Sequence, residues 1–171
     1  MTGSELVVTP QEGWRVGFVQ SGRGMLVAMP RPPGDSALLS GGCLCGGVRF
    51  EVTEPPTGAS YCHCTRCQRR TGVAASAQAR VVPGSVRVLE GADLVRIWEP
   101  PDGFGKAFCS ACGSALWSIA PGTDAPASVR LGAFDGDPGV RPSYRQFTAY
   151  AAAWEPIPDD GLPRYPERPP S

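Results

Sequence analysis

Seven cysteines in three short groups constrain this chain more than any other feature of its sequence. The groups follow the patterns C-x-C, C-x-C-x-x-C and C-x-x-C, and they consist of Cys43 and Cys45; Cys62, Cys64 and Cys67; Cys109 and Cys112. Such hooks, separated by longer spans, are typical of chains that wrap a soft metal ion. Four thiolates close a tetrahedral zinc site, whereas three leave one position for water or substrate. The arrangement therefore predicts two zinc ions per chain, one structural and one catalytic.

The composition supports metal ligation over disulfide bonding. The chain has 171 residues, with 16 Lys plus Arg and 16 Asp plus Glu, so its formal net charge is zero. This balance gives no reason to expect a nucleic-acid or membrane-surface partner. No apolar run approaches the roughly 18 residues of a membrane span, and the N-terminus lacks signal-peptide features, so we expect a cytoplasmic protein. Disulfides are rare in that compartment, and an odd number of cysteines cannot pair completely.

The pattern along the chain predicts a mainly β fold. The 22 glycines and 19 prolines favour turns and short strands over long helices. A strand is predicted from Leu44, because Val48, Phe50 and Val52 alternate with charged residues. One helical turn closed by Gly72 follows the middle cysteine group. The late segment YRQFTAYAAAW fits either a strand or a short helix.

Proline- and glycine-rich segments suggest the domain boundaries. Residues 1–37 end in such a linker and carry no recognisable chemistry, so we expect an N-terminal extension that is poorly ordered. Residues 38–166 form the predicted zinc-binding domain, and residues 167–171 form a short C-terminal tail.

The two outer cysteine pairs are assigned to the structural zinc. Cys43 and Cys45 lie more than 60 residues before Cys109 and Cys112, so the fold must bring two strand ends together. A metal held by two distant hooks joins those segments and contributes directly to folding. Gly113 permits the tight turn that a C-x-x-C knuckle needs.

The middle group, Cys62, Cys64 and Cys67, is assigned to the open, catalytic zinc. In extended chain Cys62 and Cys64 point to one side, and His63, the single histidine, points to the other. This geometry argues against His63 as the fourth ligand, which leaves that position to solvent, substrate or an acidic residue. Because a metal-coordinating thiol loses its proton outright, the predicted chemistry is activation of a small thiol substrate.

Three arginines follow the middle group and are candidate substrate-binding residues. Arg66, Arg69 and Arg70 could hold the carboxylates of a small anionic thiol. A solvated run of charge is the alternative interpretation of the same residues.

The segments GGCLCGGVRFE, YCHCTRCQRRTG, FCSACGSAL and WEPIPDDGLPRY together resemble the glutathione-dependent formaldehyde-activating enzyme family, which includes centromere protein V-like domains. The resemblance covers about residues 40–166. It implies a Mss4-like zinc-binding fold of short strands with two zinc ions, and the ligand sets named above. It also implies a carbon–sulfur lyase of the S-(hydroxymethyl)glutathione synthase type, which joins glutathione and formaldehyde.

One departure from the family pattern concerns the late segment. Members often carry a histidine there, whereas this chain has Tyr144 and Arg145 and keeps only Trp154. Two other functions remain open at this stage. One is a non-catalytic zinc-binding interaction module, and the other is a redox or metal sensor in which the three-cysteine group is oxidised or exchanges metal.

Overall fold

The computed structural model describes residues 39–170, so the extension predicted over residues 1–37 lies outside the described residues. The described part of the chain contains ten strands and one α-helix, joined by turns and loops. In chain order they are β1 (Leu39–Gly42), β2 (Arg49–Val52), β3 (Gly58–Cys62), α1 (Thr65–Thr71), β4 (Ser76–Arg80), β5 (Val86–Glu90), β6 (Val95–Trp98), β7 (Gly105–Cys109), β8 (Ala115–Ile119), β9 (Pro126–Arg130) and β10 (Pro142–Gln146). The mainly β class predicted from the sequence is confirmed.

The strands form two sheets. A three-stranded antiparallel sheet has the order β1-β2-β5, and a seven-stranded sheet has the order β10-β3-β4-β9-β8-β7-β6. Within the larger sheet only the β10–β3 pair is parallel. Antiparallel neighbours can be joined by tight turns, which explains how a chain rich in glycine and proline builds this sheet.

The apolar core lies between the two sheets and is centred on Phe50. This side chain is fully buried, and its ring meets Trp117 of β8 and Phe134 edge-on, at centroid distances of 5.7 Å and 6.0 Å. Val48 and Val52 are buried beside it, as the alternation predicted. An aromatic cluster of this kind dominates the burial energy of a small domain.

The strand predicted from Leu44 begins only at Arg49, which corrects that expectation. Residues 43–48 form a turn instead, in which the Gly46 amide donates to the Cys43 carbonyl at 3.1 Å and the Cys43 amide donates to the Val48 carbonyl at 3.1 Å. Gly46 has a φ of 76°, a conformation that glycine adopts without steric cost. Cys43 and Cys45 therefore lie on a turn and not on a strand face.

The predicted helical turn after the middle cysteine group is observed as α1. Gly72 ends it with a φ of 71°, and its amide donates to the Gln68 carbonyl. In the late segment both alternatives occur in succession, because β10 ends at Gln146 and a 3₁₀ turn covers Thr148–Tyr150. No helix within residues 39–170 is long and apolar enough to cross a membrane.

The second face of the seven-stranded sheet is polar, and we call it the polar face. Residues paired across antiparallel strands point to the same side of a sheet. The register pairs Cys62 with Ser76, Gln78 with Arg130, and Lys106 with Ser118. Side-chain hydrogen bonds connect these pairs across the sheet, so we define the polar face by these six residues: Cys62, Ser76, Gln78, Lys106, Ser118 and Arg130.

Gly91→Ala tests how closely the chain packs behind the Cys43–Val48 turn. Gly91 has a φ of 68°, and a Cβ there would lie 1.9 Å from the Gly47 carbonyl oxygen. We expect the free energy of unfolding to fall by about 1–2 kcal/mol for the left-handed conformation, and by a further ~1–3 kcal/mol for the clash. Urea unfolding of the full chain measures both.

Gly84→Ala is the matched control, because Gly84 has a φ of 83° and nothing lies within 4 Å of the position that a Cβ would occupy. It should show the conformational penalty alone. Equal losses in the two variants would mean that the close approach at Gly91 does not matter.

Candidate metal centres

The first cluster consists of four sulfurs from two distant segments. The Sγ atoms of Cys43, Cys45, Cys109 and Cys112 all lie within 4.8 Å of one another. Cys45 Sγ lies 3.4 Å from Cys43 Sγ and 4.0 Å from Cys109 Sγ. A tetrahedral zinc with Zn–S bonds near 2.3 Å needs sulfurs about 3.8 Å apart. The separations fall on either side of this value, so the four thiols fit a closed site.

Backbone turns and one hydroxyl hold these sulfurs in position. Cys109 ends β7, and the chain reverses there as the Gly113 amide donates to the Cys109 carbonyl at 2.8 Å. The Ser114 hydroxyl accepts from the Leu44 amide at 2.9 Å and lies 3.2 Å from Cys112 Sγ. Hydrogen bonding from Ser114 lowers the pKa of Cys112 to about 5. Ser114 thus connects the two turns and favours a thiolate, which is the form that binds metal.

The second cluster consists of three sulfurs at the start of α1. Cys62 ends β3, Cys64 is the N-cap residue of α1, and Cys67 lies in its first turn. Their Sγ atoms lie within 4.8 Å of one another, with Cys62 and Cys67 buried and Cys64 half-buried. No fourth Cys, His, Asp or Glu between residues 39 and 170 joins this group. The donor set fits a soft metal ion with one position left open.

Negative charge in this cluster concentrates on Cys67. Hydrogen bonds from the Cys62 and Cys64 thiols lower the pKa of Cys67 well below its ordinary value, and the positive charges of Arg130 and Lys106 lower it further. The same contacts raise the pKa of Cys62. The thiolate form is thus favoured most at Cys67, and a metal ion would displace the protons that remain on the other thiols.

The His63 side chain contacts an arginine and does not join the three-sulfur cluster. Its Nε2 atom lies 3.3 Å from Nη1 of Arg145, one of two residues in the segment where family members often carry a histidine. Arg145 also forms a 2.6 Å ion pair with Asp160 and lies 4.4 Å from the centroid of the Tyr61 ring. Burial first, and then the charge of Arg145, lower the pKa of His63. His63 and Asp160 therefore hold the Arg145 side chain in place.

The three candidate arginines have different surroundings. Arg66 donates to the Asp102 carboxylate at 2.9 Å and lies 5.9 Å from the Trp98 ring centroid, while Arg69 is exposed. Arg70 turns inward, where its Nη2 group donates to the main-chain carbonyls of Ala107 and Trp117.

Sequence reasoning missed Lys106, Ser118 and Arg130, which lie on the polar face and are all buried. Alternation along β7 places Lys106 on the opposite face from the buried Ala107 and Cys109, where a charged residue is ordinarily solvated. A cationic side chain in each of the two strand segments that flank β8, KAFC in β7 and SVRL in β9, is the signal that could have found them.

Two sequence comparisons with known proteins point to the same family. Residues 38–150 match the family model described as glutathione-dependent formaldehyde-activating enzyme. A Halomonas elongata protein, named as a candidate glutathione-dependent formaldehyde-activating enzyme, is 36% identical over 90 residues, which cover 49% of this chain and 57% of that protein. The chain thus spans little more than half the length of this curated relative. A Rhodobacter sphaeroides crystal structure aligns with 74% of the chain and 98% of its own, at 24% identity and a TM-score of 0.46.

Asp160→Asn tests whether the ion pair between Asp160 and Arg145 stabilises the fold. The Arg145 side chain is only 7% exposed, so loss of its carboxylate partner leaves a buried, unpaired cation. We expect the thermal unfolding midpoint to fall by several degrees, measured by circular dichroism. Arg145→Met in the same background should recover much of this loss, because it removes the unpaired charge.

The neighbouring Asp159→Asn serves as the control. Asp159 is fully exposed and lies 3.8 Å from Arg164, so its loss should leave the midpoint unchanged. A midpoint that is the same in both asparagine variants would show that the Asp160 pair does not stabilise the fold.

Proposed function

Because the chain belongs to the glutathione-dependent formaldehyde-activating enzyme family, we propose that it is a zinc-dependent carbon–sulfur lyase acting on a small thiol and an aldehyde. The thiol is glutathione or a close analogue, and the aldehyde is formaldehyde or one of similar size. The enzyme forms or cleaves an S-hydroxymethyl adduct.

The difference between the two cysteine clusters is the observation that carries the proposal. Both contain sulfurs within 4.8 Å, but one has four and the other has three. The four-sulfur set, Cys43, Cys45, Cys109 and Cys112, would hold a structural zinc with no free position. Cys62, Cys64 and Cys67 would hold a catalytic zinc and leave room for a substrate sulfur.

In this reaction the protein has to position the thiol and the aldehyde and to allow one proton to move between them. Zinc at the three-sulfur cluster would bind the substrate thiol and favour its deprotonated form. The substrate sulfur attacks the aldehyde carbon and forms a C–S bond as the carbonyl π bond breaks. The aldehyde oxygen takes up one proton, which balances the one that the thiol lost. Placing both reactants side by side supplies much of the rate.

The arginines around α1 would bind the acidic ends of the thiol. Arg66 and Arg69 lie on the outer side of the helix, where a flexible peptide-like substrate could reach them. The exposed Arg69 is available for a carboxylate, whereas Arg66 would have to exchange Asp102 for one. Arg70 faces the interior and would act on the sulfur end of the substrate.

Zinc content tests the two-site part of the proposal. We expect two zinc ions per chain in the purified wild type and one in Cys64→Ser, because that substitution removes a ligand from the open site alone. Cys112→Ser should lower the unfolding midpoint far more than Cys64→Ser does, since the four-sulfur site joins distant segments. One zinc ion in the wild type would contradict the two-site proposal. Atomic emission spectrometry measures the zinc content, and thermal unfolding measures the midpoint.

Adduct formation tests the catalytic part. Magnetisation-transfer NMR on a mixture of glutathione and formaldehyde measures the rate of exchange between free glutathione and S-hydroxymethylglutathione. We expect the wild-type protein to accelerate this exchange. In Cys64→Ser the acceleration should be lower by a factor of at least about ten, a loss typical of a perturbed metal site. The zinc content of the variant shows whether the structural site is still filled. Binding of neither thiol nor aldehyde would instead favour the interaction-module or sensor function.

A further inference from the structure

The polar face holds cationic side chains that no acidic residue balances. Arg130 is 5% exposed and Lys106 is 8% exposed, and neither forms an ion pair with any carboxylate in the part of the chain that the structure describes. Arg70 lies close by, and its buried Nη1 atom has no hydrogen-bond partner there. Buried cations are rare in proteins unless they are paired. This cluster therefore needs an anion.

The three-sulfur cluster alone does not balance these charges. Three thiolates around a divalent ion carry one net negative charge, against three positive charges on Arg70, Lys106 and Arg130. An excess of two positive charges would remain beside the open position. Burial lowers the pKa of Lys106, the negative charge of Cys67 raises it, and the positive charges of Arg130 and Arg70 lower it again.

The hydrogen bonds of Arg130 leave donors unused. A guanidinium group has five N–H donors. Nη1 donates to Ser76 Oγ at 3.1 Å and to Gln78 Oε1 at 2.7 Å, and Nη2 donates to Ser118 Oγ at 2.9 Å. The Nε atom is buried without a partner among the described residues, and one Nη2 hydrogen is also unused. These two donors can engage the two oxygens of a carboxylate together.

Lys106 and Ser118 add further donors at the same place. Lys106 Nζ donates to Ser118 Oγ at 3.3 Å, and the same oxygen accepts from Arg130, so the two cationic groups lie within about 6 Å of each other. Two ammonium hydrogens remain on Lys106. Ser118 already accepts from both cations, so its own hydrogen is free to be donated. Each of these groups therefore keeps at least one donor for a ligand, and the acceptor positions of Ser118 Oγ are already taken by the two cations.

We propose that Arg130, Lys106 and Ser118 form a carboxylate-binding subsite beside the three-sulfur cluster, which recognises a carboxylate carried by the thiol substrate. The inference rests on the proposed thiol chemistry and adds to it the class of thiol: one with a carboxylate a few bonds from its sulfur. Cys62 lies opposite Ser76 in the β3–β4 register, and Ser76 Oγ accepts from Arg130 at 3.1 Å, so the subsite and the sulfurs are neighbours. A neutral thiol would leave the excess positive charge unbalanced.

Two thiols of matched size test the subsite. Titration calorimetry on the full, zinc-loaded chain would compare 3-mercaptopropionate with 2-mercaptoethanol, which carries a hydroxyl in place of the carboxylate. We expect the carboxylated thiol to bind the wild type at least about tenfold more tightly, as a charge-assisted pair of hydrogen bonds implies. Lys106→Met and Arg130→Gln should each reduce this ratio towards one, mainly by weakening the carboxylated thiol.

Lys106→Arg and Arg80→Gln are the controls. The first keeps the charge and should keep most of the ratio. The second removes an exposed arginine of the same sheet and should leave both affinities unchanged. Zinc content and circular dichroism verify folding. If Lys106→Met fails to fold, Ser118→Ala, which removes only the shared hydroxyl, replaces it and should also lower the ratio.

Each outcome of the titrations decides a separate point. If neither thiol binds the wild type, the proposed function fails. If both bind with equal affinity, the thiol site stands and the subsite is overturned. If the ratio is present but unchanged in all polar-face variants, the carboxylate is bound elsewhere, and the subsite is again overturned. If acetate competes with 3-mercaptopropionate but not with 2-mercaptoethanol, the subsite also binds a free carboxylate, and this result supports the proposal.

Discussion

The contact between two cysteine turns is the constraint on which the rest of the structure depends. The Cys43–Val48 turn and the turn after Cys109 bring four sulfurs within 4.8 Å, and Ser114 joins the turns through the Leu44 amide. This contact connects the start of the small sheet to the β7–β8 hairpin of the large one. Phe50 packs against Trp117 in the core between them. The contact between the two cysteine turns and the apolar packing therefore join the same two sheets.

The two faces of the large sheet serve different purposes. One face packs on the small sheet and is apolar, which stabilises the domain. The polar face carries Cys62 and the buried residues Ser118, Lys106 and Arg130, and α1 reaches over it through Arg70. Burying charge in this way costs stability unless a ligand supplies the opposite charge. Such a cost is typical of a binding site and not of a structural core.

Much of the fold class and of the metal clusters could be predicted from short-range patterns. Strand alternation predicted that Phe50 is buried in the core, and Gly72 predicted the end of α1. Cysteine spacing predicted which sulfurs lie together. The strand expected from Leu44 was wrong because Gly46 and the Cys43 hydrogen bonds make a turn that alternation does not reveal. Tyr144 and Arg145, in the segment where family members often carry a histidine, were visible in the sequence, but the contact of Arg145 with His63 was not.

The sequence by itself determined which cysteines group together and that one group has three members instead of four, because the number and spacing of cysteines are local properties of the chain. The tertiary structure alone decided what surrounds the three-cysteine group. Lys106, Ser118 and Arg130 come from three different strands, and each looks like an ordinary solvent-facing or small polar residue in its own segment. They become one buried, positively charged cluster only because antiparallel register aligns them and α1 extends over that face, where solvation no longer compensates their charge.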